Sequence, residues 1–304
     1  MPNNFLIVIL GPTAVGKTAL AIEVAKAFGA EIISADSRQF FREMNIGTAK
    51  PTEAELKQVK HHFINSLSVT DDYNVGMFER DALNVLETIF LKNKIAVMAG
   101  GSGLYINAIC SGFDPLPVAD KELREEMSQV YRDVGIETLQ ARLKKLDPEY
   151  YNKVDIKNPH RLIRAIEVCI KTGKKYSELL SGGKEQRKFE TIKIGLELGR
   201  AELYERINKR VDEMMQNGLL EEVKSLAEHK HRNSLHTVGY KELFDFIEGK
   251  TDRNRAVELI KQNTRNYAKR QMTWFRKDKT ITWFDPAGKE KILPFIKDKI
   301  NTKS

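Results

Sequence analysis

A glycine-rich segment near the N-terminus carries residue types that can hold phosphate. It fits the pattern G-x-x-x-x-G-K-[ST] and ends in Lys17 and Thr18. Glycines let consecutive backbone N–H groups curl around a polyphosphate, the lysine adds a point charge, and the threonine hydroxyl can ligate Mg²⁺. The members of this predicted phosphate-binding loop are Gly11, Pro12, Thr13, Ala14, Val15, Gly16, Lys17 and Thr18.

The elements on either side of this loop are those that must position it. Residues 5–10 are apolar and largely branched, which is typical of a buried strand, and residues 19–28 predict a helix that Gly29 ends. Strand, loop and helix form the context that a P-loop requires, which disfavours a chance match in an ordinary strand-to-helix turn. The motif leaves open which phosphate ligand is bound and whether the reaction is phosphoryl transfer.

A carboxylate and a second glycine-rich turn are expected at the same edge of the sheet. Asp36 follows a predicted second strand over residues 31–35, and Gly100-Gly101-Ser102-Gly103 follows a predicted fourth strand over residues 94–99. Ligands of open α/β sheets gather at the carboxyl ends of the strands. Asp36 can therefore hold Mg²⁺ or accept a proton from a nucleophile. The alternative is an aspartate that merely starts a turn or caps a helix, which its position beside the P-loop makes less favoured.

The remaining patterns predict an α/β fold, with a P-loop NTPase-like parallel sheet flanked by helices and an all-helical insertion domain. The catalytic core comprises residues 1–119 and 185–304, and the insertion comprises residues 120–184, because this charge-rich region shows no strand pattern. Two prolines within residues 113–118 mark the first boundary, and residues 181–184 predict a flexible link back. Further strands are predicted at 61–64, 191–198 and 280–284, and helices at 73–91, 202–216 and 254–277.

One helix of the insertion is expected to carry a basic face. Asn158 is a predicted N-cap and Pro159 occupies the first turn. Arg161 and Arg164 are three residues apart and share a face of this helix. That face can clamp phosphates, or it can be an exposed basic stripe.

The net charge of +8 is concentrated at the C-terminal end of the chain. Residues 251–304 hold 14 Lys and Arg against 6 Asp and Glu, whereas the first 250 residues are balanced. A basic end on a neutral body suggests a surface for a polyanion, with nucleic acid as the first choice. A solvated basic tail is an equally good interpretation of charge alone.

The long helix predicted within this basic region mixes charged and aromatic residues. Arg265 and Lys269 alternate with Tyr267, Trp274 and Phe275. This mixture suits contact with a nucleic-acid backbone together with base stacking. Part of the aromatic set must be core, and we expect Trp274 to be the core member.

Several other features predict structural or general properties. Residues 40–51 have no clean period and predict a loop with exposed aromatic and basic groups. Adjacent His61 and His62 would point to opposite faces of a strand, which disfavours a metal site. Cys110 and Cys169 are expected to be buried free thiols. With no signal peptide expected and no apolar run near the ~20 residues of a membrane span, the predicted location is cytoplasmic.

Taken together, these stretches resemble the tRNA dimethylallyltransferase family, also called tRNA isopentenyltransferases. They follow the family's order over most of the chain, and the runs at 34–51 and 273–275 are the most specific. Ser102 stands where family members usually have Thr, His160 where they have Gln, and His236-Thr237 precedes the Val-Gly-Tyr run. The matching stretches are residues 11–18, 34–39, 45–51, 100–105, 160–165, 238–242 and 264–275.

The resemblance implies transfer of the dimethylallyl group from its diphosphate to N6 of the adenosine 3′-adjacent to the anticodon. Lys17, Mg²⁺ on Thr18, and Arg210 would neutralise the leaving diphosphate, and Asp36 would orient the amine and accept its proton. The adenine would leave its stack to reach the site. The implied partners are dimethylallyl diphosphate and the tRNA anticodon stem-loop, with a monomeric enzyme. The implied tRNA-binding residues are Asp36, Ser37, Arg38, Gln39, Ser102, Arg124, His160, Arg161, Leu162, Ile163, Arg164, Arg265 and Lys269.

Two other functions use the same loop. A nucleotide or small-molecule kinase would bind ATP there, but it would leave the basic C-terminal helix without a role. An NTP-switched RNA-binding protein would use both features without group transfer. Labelled donor appearing in tRNA distinguishes the transferase from both alternatives.

Overall fold

The computed structural model describes residues 4–112, 114, 116–117, 119–180 and 186–303. The predicted link at 181–184 and part of the proline-containing boundary lie outside these residues. The chain divides into two compact units. One unit comprises Met1–Cys110 with Arg187–Ser304, and the other comprises Ser111–Gln186.

The first unit is built on a parallel sheet, which confirms the predicted fold class. Its described strands follow the order β3-β2-β4-β1-β5-β6, and every neighbouring pair is parallel. The strand before the P-loop is therefore central, with β4 and β5 on its two sides. The strands are β1 (Phe5–Leu10), β2 (Ile32–Ser34), β3 (His61–His62), β4 (Ile95–Gly100), β5 (Glu190–Leu196) and β6 (Thr282–Phe284).

Helices cover both faces of this sheet, and alternate residues of β1 enter two separate cores. Leu6 and Val8 pack with α3, α4 and α12, whereas Ile7 and Ile9 pack with α1 and α14. This period of two is the geometry of a strand buried on both faces. The helices of this unit are α1 (Lys17–Phe28), α2 (Glu53–Leu56), α3 (Val75–Phe90), α4 (Gly103–Ser111), α10 (Arg200–Gln216), α11 (Leu219–Ser225), α12 (Tyr240–Ile247), α13 (Arg253–Phe275) and α14 (Ile292–Lys303), with α4 ending one residue past the boundary.

The second unit is helical over its described residues. Asn158 caps α8 by accepting a hydrogen bond from the Arg161 N–H, and Pro159 occupies its first turn, as predicted. Leu139, Leu143 and Ile166 form part of a small buried cluster of its own. Its helices are α5 (Lys121–Val134), α6 (Ile136–Leu146), α7 (Pro148–Tyr151), α8 (Pro159–Thr172) and α9 (Tyr176–Leu179).

The expectation of exposed aromatics in residues 40–51 is wrong. Phe40 is 1% exposed and Phe41 is 4% exposed. Phe40 stacks on Phe78 of α3 at a centroid distance of 5.4 Å and meets the Tyr73 ring edge at the same distance. The segment lacks a period because it is a succession of turns, yet its aromatic rings anchor it to the core.

The expectation that Trp274 belongs to the core is also wrong. Trp274 is 36% exposed, whereas the neighbouring Phe275 is 3% exposed and packs in the main core. Adjacent residues of a helix point about 100° apart, so only one of the two can face the core directly.

The histidine pair lies in the edge strand β3, where His62 contacts a carboxylate. His62 Nε2 lies 2.6 Å from a Glu31 carboxylate oxygen. Strand β3 ends at His62, two residues before the predicted end, because Phe63 turns into the left-handed region at φ 62°. The described residues contain no cluster of three His, Cys, Asp or Glu side chains suited to a metal.

Cys169 is buried and Cys110 half-buried, and both are free. None of the helices in the described part of the chain has the length and apolar composition to cross a bilayer.

The packing of α3 yields a stability prediction with a matched control. Leu86 is 1% exposed and Leu91, just past the end of the same helix, is 87% exposed. We expect Leu86→Ala to lower the free energy of unfolding by about 2–5 kcal/mol, because it removes buried methyl groups and leaves a cavity. Leu91→Ala should change it by less than about 0.5 kcal/mol. Denaturant unfolding of both variants checks this; equal effects would mean that α3 does not pack as described.

Candidate active site

The P-loop connects β1 to α1 through an unusually tight backbone path. Gly11 has φ 148°, and a Cβ there would lie 2.5 Å from the Leu196 carbonyl oxygen of β5. Ala14 at φ 66° and Gly16 at φ 101° place further residues in the left-handed region. Such left-handed turns make concave groups of backbone N–H donors, which suit an anion. The loop conformation therefore agrees with the phosphate-binding prediction from its sequence.

Two cations face the same cavity beside this loop. Lys17 lies at the start of α1, and its Nζ donates to the Pro12 carbonyl oxygen at 2.6 Å. Burial lowers the pKa of Lys17 to about 8; the Asp36 charge opposes this shift, and the Arg210 charge adds to it. Two cations close enough to affect one another, in a partly desolvated site, favour binding of an anion between them.

Arg210 was placed here by resemblance, and the structure brings it to the P-loop. It lies on α10, is half-buried and lines the cavity with Lys17. Burial lowers its pKa, and the charge of Glu213 partly offsets that effect. Its guanidinium makes no hydrogen bond to any residue that the structure describes. A guanidinium without a close partner has its donors available for a ligand.

Asp36 lies at the end of β2 and lines the same cavity. Its Oδ1 accepts a hydrogen bond from the Arg38 N–H at 3.0 Å, so it does begin a turn. The turn interpretation is therefore confirmed, and the charge of the carboxylate also acts on Lys17. A role of Asp36 as magnesium ligand or proton acceptor stays a prediction. Arg38 itself is half-buried, and burial lowers its pKa, while Tyr105, Asp36 and Tyr267 oppose the shift.

The second glycine-rich turn meets the Asp36 turn closely. A Cβ on Gly100 would lie 2.2 Å from the Ala35 carbonyl oxygen, so only glycine fits here. Ser102 Oγ accepts a hydrogen bond from the Ser37 N–H at 3.2 Å. The two predicted turns therefore form one continuous edge beside the P-loop.

Gln39 and Glu222 make hydrogen bonds to residues 45–49, a segment that lines the cavity. Gln39 Nε2 donates to the carbonyl oxygens of Thr48 and Ala49 at 3.2 and 3.3 Å. The Glu222 carboxylate of α11 accepts from the N–H groups of Asn45, Ile46 and Gly47 at 2.8–3.0 Å and from the Tyr240 hydroxyl at 2.6 Å. Gln39, predicted to contact tRNA, thus also has a structural role.

These elements enclose a cavity of about 800 Å³. Its lining mixes charged, polar and apolar side chains. The polar lining includes Lys17, Thr18, Asp36, Gln39 and Arg210, and the apolar lining includes Ile46, Leu56, Ile64 and Met214. A site of this composition can take a molecule with an anionic end and an apolar end.

Thr18 fits a magnesium ion better than it fits an internal structural role. Its side chain is half-buried and lines the cavity, and its hydroxyl makes no hydrogen bond within the described residues. Mg²⁺ commonly takes one or two protein oxygens together with substrate phosphates and water.

The predicted tRNA contacts of the insertion divide into exposed and buried groups. His160 and Arg161 are exposed at the start of α8. Leu162 and Ile163 are buried in the insertion's own core, so their side chains contribute to packing.

Arg124 and Arg164 are held by one buried carboxylate. Arg124 Nε and Arg164 Nη1 lie 2.7 and 3.0 Å from the Glu167 oxygens, and Glu167 is fully buried. Arg164 also donates to the Pro117 carbonyl oxygen at 2.8 Å. Both arginines remain partly exposed, and Glu167 fixes their positions.

The two predicted contacts on α13 lie in different environments. Arg265 is half-buried, and its Nη1 donates to Asn208 Oδ1 at 2.6 Å. Lys269 is exposed and lines a shallow surface cavity of about 380 Å³. Its other lining residues are Asn266, Arg270, Thr273, Trp274 and Lys277. The exposed Trp274 is thus part of a basic surface.

Two residues of the site, Glu222 and Gln271, carried no role in the sequence prediction, although they reach the active-site loops from α11 and α13. Tyr267 was expected only as one of the aromatic residues of a nucleic-acid-binding helix, and it also lies near Ser102. Glu222 stands outside every matched stretch, so no signal pointed to it. Tyr267 and Gln271 stand inside the matched run 264–275, and their spacing of four would have placed them on one helix face.

The central strand, the P-loop and the paired cations define an α/β protein of the P-loop class with an anion-binding cavity. The family model for IPP transferase matches residues 39–278. The chain therefore belongs to the tRNA dimethylallyltransferase, or IPP transferase, family, as its motifs indicated. It is 54% identical to the tRNA dimethylallyltransferase of Christiangramia forsetii over 99% of this chain and 100% of that one.

Other relatives agree over the full length. The chain is 48% identical to tRNA dimethylallyltransferase 1 of Bacteroides fragilis, covering 99% of this chain and 100% of that one. The crystal structure of tRNA isopentenylpyrophosphate transferase from Bacillus halodurans matches with a TM-score of 0.73 at 35% identity, covering 99% and 98% of the two chains. A eukaryotic dimethylallyltransferase acting on tRNA matches with a TM-score of 0.78 at 29% identity, covering 93% of this chain and 74% of that one.

The lowered pKa of Lys17 predicts a pH dependence of anion binding. The free site loses the Lys17 proton as pH rises through about 8, and a bound diphosphate would raise that pKa again. Binding above pH 8 must therefore take up a proton, so affinity should fall there by up to about tenfold per pH unit. Below pH 7 the lysine is protonated and this contribution is constant.

Titration of dimethylallyl diphosphate between pH 6 and 10 by calorimetry measures this slope. Lys17→Arg is the control, because its guanidinium stays charged over the range while any titration of the ligand is shared. The same slope in both proteins would show that Lys17 does not hold the diphosphate.

Proposed function

We propose that this protein is a tRNA dimethylallyltransferase that transfers the dimethylallyl group from dimethylallyl diphosphate to N6 of the adenosine 3′-adjacent to the anticodon. Family membership over the full chain supports this assignment. The observation that carries the mechanism is the pair of cations, Lys17 and Arg210, at one end of a cavity whose wall also contains Asp36.

The P-loop would hold the leaving group of this reaction. As the allylic C–O bond breaks, negative charge builds on the diphosphate. Lys17, Arg210 and the P-loop line the same cavity, so they would stabilise this growing charge. The apolar wall offered by Ile46 and Met214 suits the hydrocarbon end of the donor.

Asp36 would act on the acceptor. The N6 amine forms a bond to the first carbon of the allyl group while the bond from that carbon to the diphosphate oxygen breaks. The amine proton would pass to the Asp36 carboxylate, whose charge acts on Lys17 and whose neighbour Ser37 is hydrogen-bonded to Ser102. Ser37, Arg38 and Ser102 lie on the same edge and would surround the adenine.

Magnesium would complete the leaving-group site. The Thr18 hydroxyl would hold the ion, and Mg²⁺ would supply further neutralisation of the charge on the diphosphate. Thr18 follows Lys17 directly on α1, so both residues approach the ligand from one helix end.

The RNA would be held by basic surfaces of both units. The exposed groups are Lys269 on α13, with its basic neighbours, and His160 and Arg161 on α8. Contacts of this kind grip the backbone of an anticodon stem-loop, and the target adenine must leave its stack to enter the cavity. We place this activity in the cytoplasm and assign it to a monomer.

The test is mass analysis of tRNA nucleosides after incubation of unmodified tRNA with the protein, Mg²⁺ and dimethylallyl diphosphate. The proposal requires a dimethylallyl group on adenosine. Transfer of the ATP γ-phosphate to a small molecule, with unchanged tRNA, would instead support the kinase. RNA affinity that responds to ATP, with no covalent change, would support an NTP-switched binder.

The same assay tests Asp36. Asp36→Asn should lower turnover by about 10²–10⁴-fold, because the proton acceptor is lost. The turn should persist, since the amide oxygen can still accept from the Arg38 N–H, and tRNA binding should remain nearly intact. Asp298→Asn, an exposed carboxylate on α14, is the control and should keep full turnover. Loss of tRNA binding along with turnover in Asp36→Asn would mean that the carboxylate is structural.

A further inference from the structure

Three residues on one face of α13 lie along the second glycine-rich turn. These residues, Tyr267, Gln271 and Trp274, are spaced by four and three and so lie on one helix face. The Gln271 side chain meets Gly101, and the Trp274 ring meets Gly103. The Tyr267 side chain lies near Ser102, which stands between these two glycines. This helix face therefore packs against the turn that carries the Ser102 hydroxyl.

Gln271 joins that turn to the P-loop with a single amide. Its Oε1 accepts from the Thr13 N–H at 2.9 Å, and its Nε2 donates to the Gly101 carbonyl oxygen at 2.9 Å. The side chain is 6% exposed. One contact needs an acceptor and the other needs a donor, so the amide has one orientation that satisfies both. A buried amide in this position is held firmly because either broken contact leaves an unpaired polar group.

The glycines of the turn allow this close approach. A Cβ on Gly101 would lie 2.2 Å from Gln271 Nε2, and a Cβ on Gly103 would lie 2.3 Å from the nearest Trp274 ring atom. Side chains larger than hydrogen at these two positions would push the helix and the turn apart. Gly101 therefore lies opposite Gln271, and Gly103 lies opposite Trp274.

The amide links the two halves of the proposed reaction. On one side it uses the Thr13 N–H, which leaves the later N–H groups of the P-loop for the diphosphate. On the other side it holds Gly101, next to Ser102, whose Oγ accepts from the Ser37 N–H. Any shift of one loop relative to the other changes the distance between the donor carbon and the acceptor amine.

We propose that Gln271 is a positioning residue that fixes the P-loop relative to the Ser102 turn, and so aligns the allylic donor with the acceptor adenine. This role rests on the proposed prenyl transfer. Gln271 acts through the two backbones that it joins and contacts neither reacting atom. Misplacement of reacting groups by about 1 Å can cost on the order of 100-fold in rate.

The first test is Gln271→Met, which keeps the length and volume of the side chain and removes both hydrogen bonds. We expect kcat for prenyl transfer to fall about 30- to 100-fold. Affinities for inorganic diphosphate and for tRNA should each change less than about threefold, with little change in Tm. Gln262→Met, on an exposed position of the same helix, should match wild type in every measurement.

Two further variants separate alignment from packing. Gly101→Ala pushes on the amide from the other side and should reproduce the kcat loss in an intact protein. Gln271→Glu keeps the acceptor for the Thr13 N–H and loses the donor to Gly101 while it is ionised. Its kcat relative to wild type should therefore rise as pH is lowered from 8 to 6, because the neutral carboxyl regains a donor.

The outcomes are distinct. A Gln271→Met enzyme with kcat within threefold of wild type overturns the positioning role. The positioning role is also overturned if the loss of kcat comes with a comparable fold-loss of diphosphate affinity and a lowered Tm, since these changes together would show a structural role. If Gln271→Met does not fold, Gly101→Ala and Gln271→Glu decide in the same terms. Failure of the wild-type protein to modify tRNA would refute the proposed function itself.

Discussion

Incompletely neutralised positive charge at the P-loop is the constraint on which the rest of the site depends. Lys17 and Arg210 face one cavity, and each is partly withdrawn from water. Burial lowers both pKa values, so the free protein bears a cost that an anionic ligand removes. A diphosphate leaving group is an anion whose charge grows during the reaction, so these partly buried cations interact with it more strongly as the reaction proceeds. The same loop in a kinase would hold a nucleotide; here the family indicates an allylic diphosphate.

The remaining structure supports that site through long-range polar contacts to loops. Glu222 gathers three backbone N–H groups of residues 45–47 on the cavity wall, and Gln271 joins the P-loop to Gly101. Both come from helices late in the chain, far in sequence from the loops that they hold. Loops with left-handed residues and few side-chain contacts need such external partners to keep one conformation. The helix that carries Gln271 also presents Lys269 to solvent, so one element serves the active-site loops and the basic surface.

Local patterns were enough to predict the parallel sheet, the P-loop and the Asn158 cap, because each depends on neighbouring residues. The resemblance added Arg210, which the structure places beside Lys17. Sequence patterns gave the wrong prediction where tertiary packing determines which side chains are buried. Phe40 lies in an aperiodic segment yet is buried against Phe78, and Trp274 lies exposed beside a buried Phe275. The contacts of Glu222 and Gln271 could not be predicted because most of their partners are backbone groups, which have no sequence signature.

The most direct test of the central claim is calorimetric titration of inorganic diphosphate with Mg²⁺ at pH 7. Arg210→Met should weaken binding by about tenfold or more, since it removes a charge-assisted contact worth about 1.5–3 kcal/mol. Arg206→Met is the matched control: it lies one turn earlier on α10 and pairs with Glu202 at 2.8 Å. Its affinity should equal that of wild type. Equal diphosphate affinity in Arg210→Met and wild type would contradict the account, because the leaving group would then be held elsewhere.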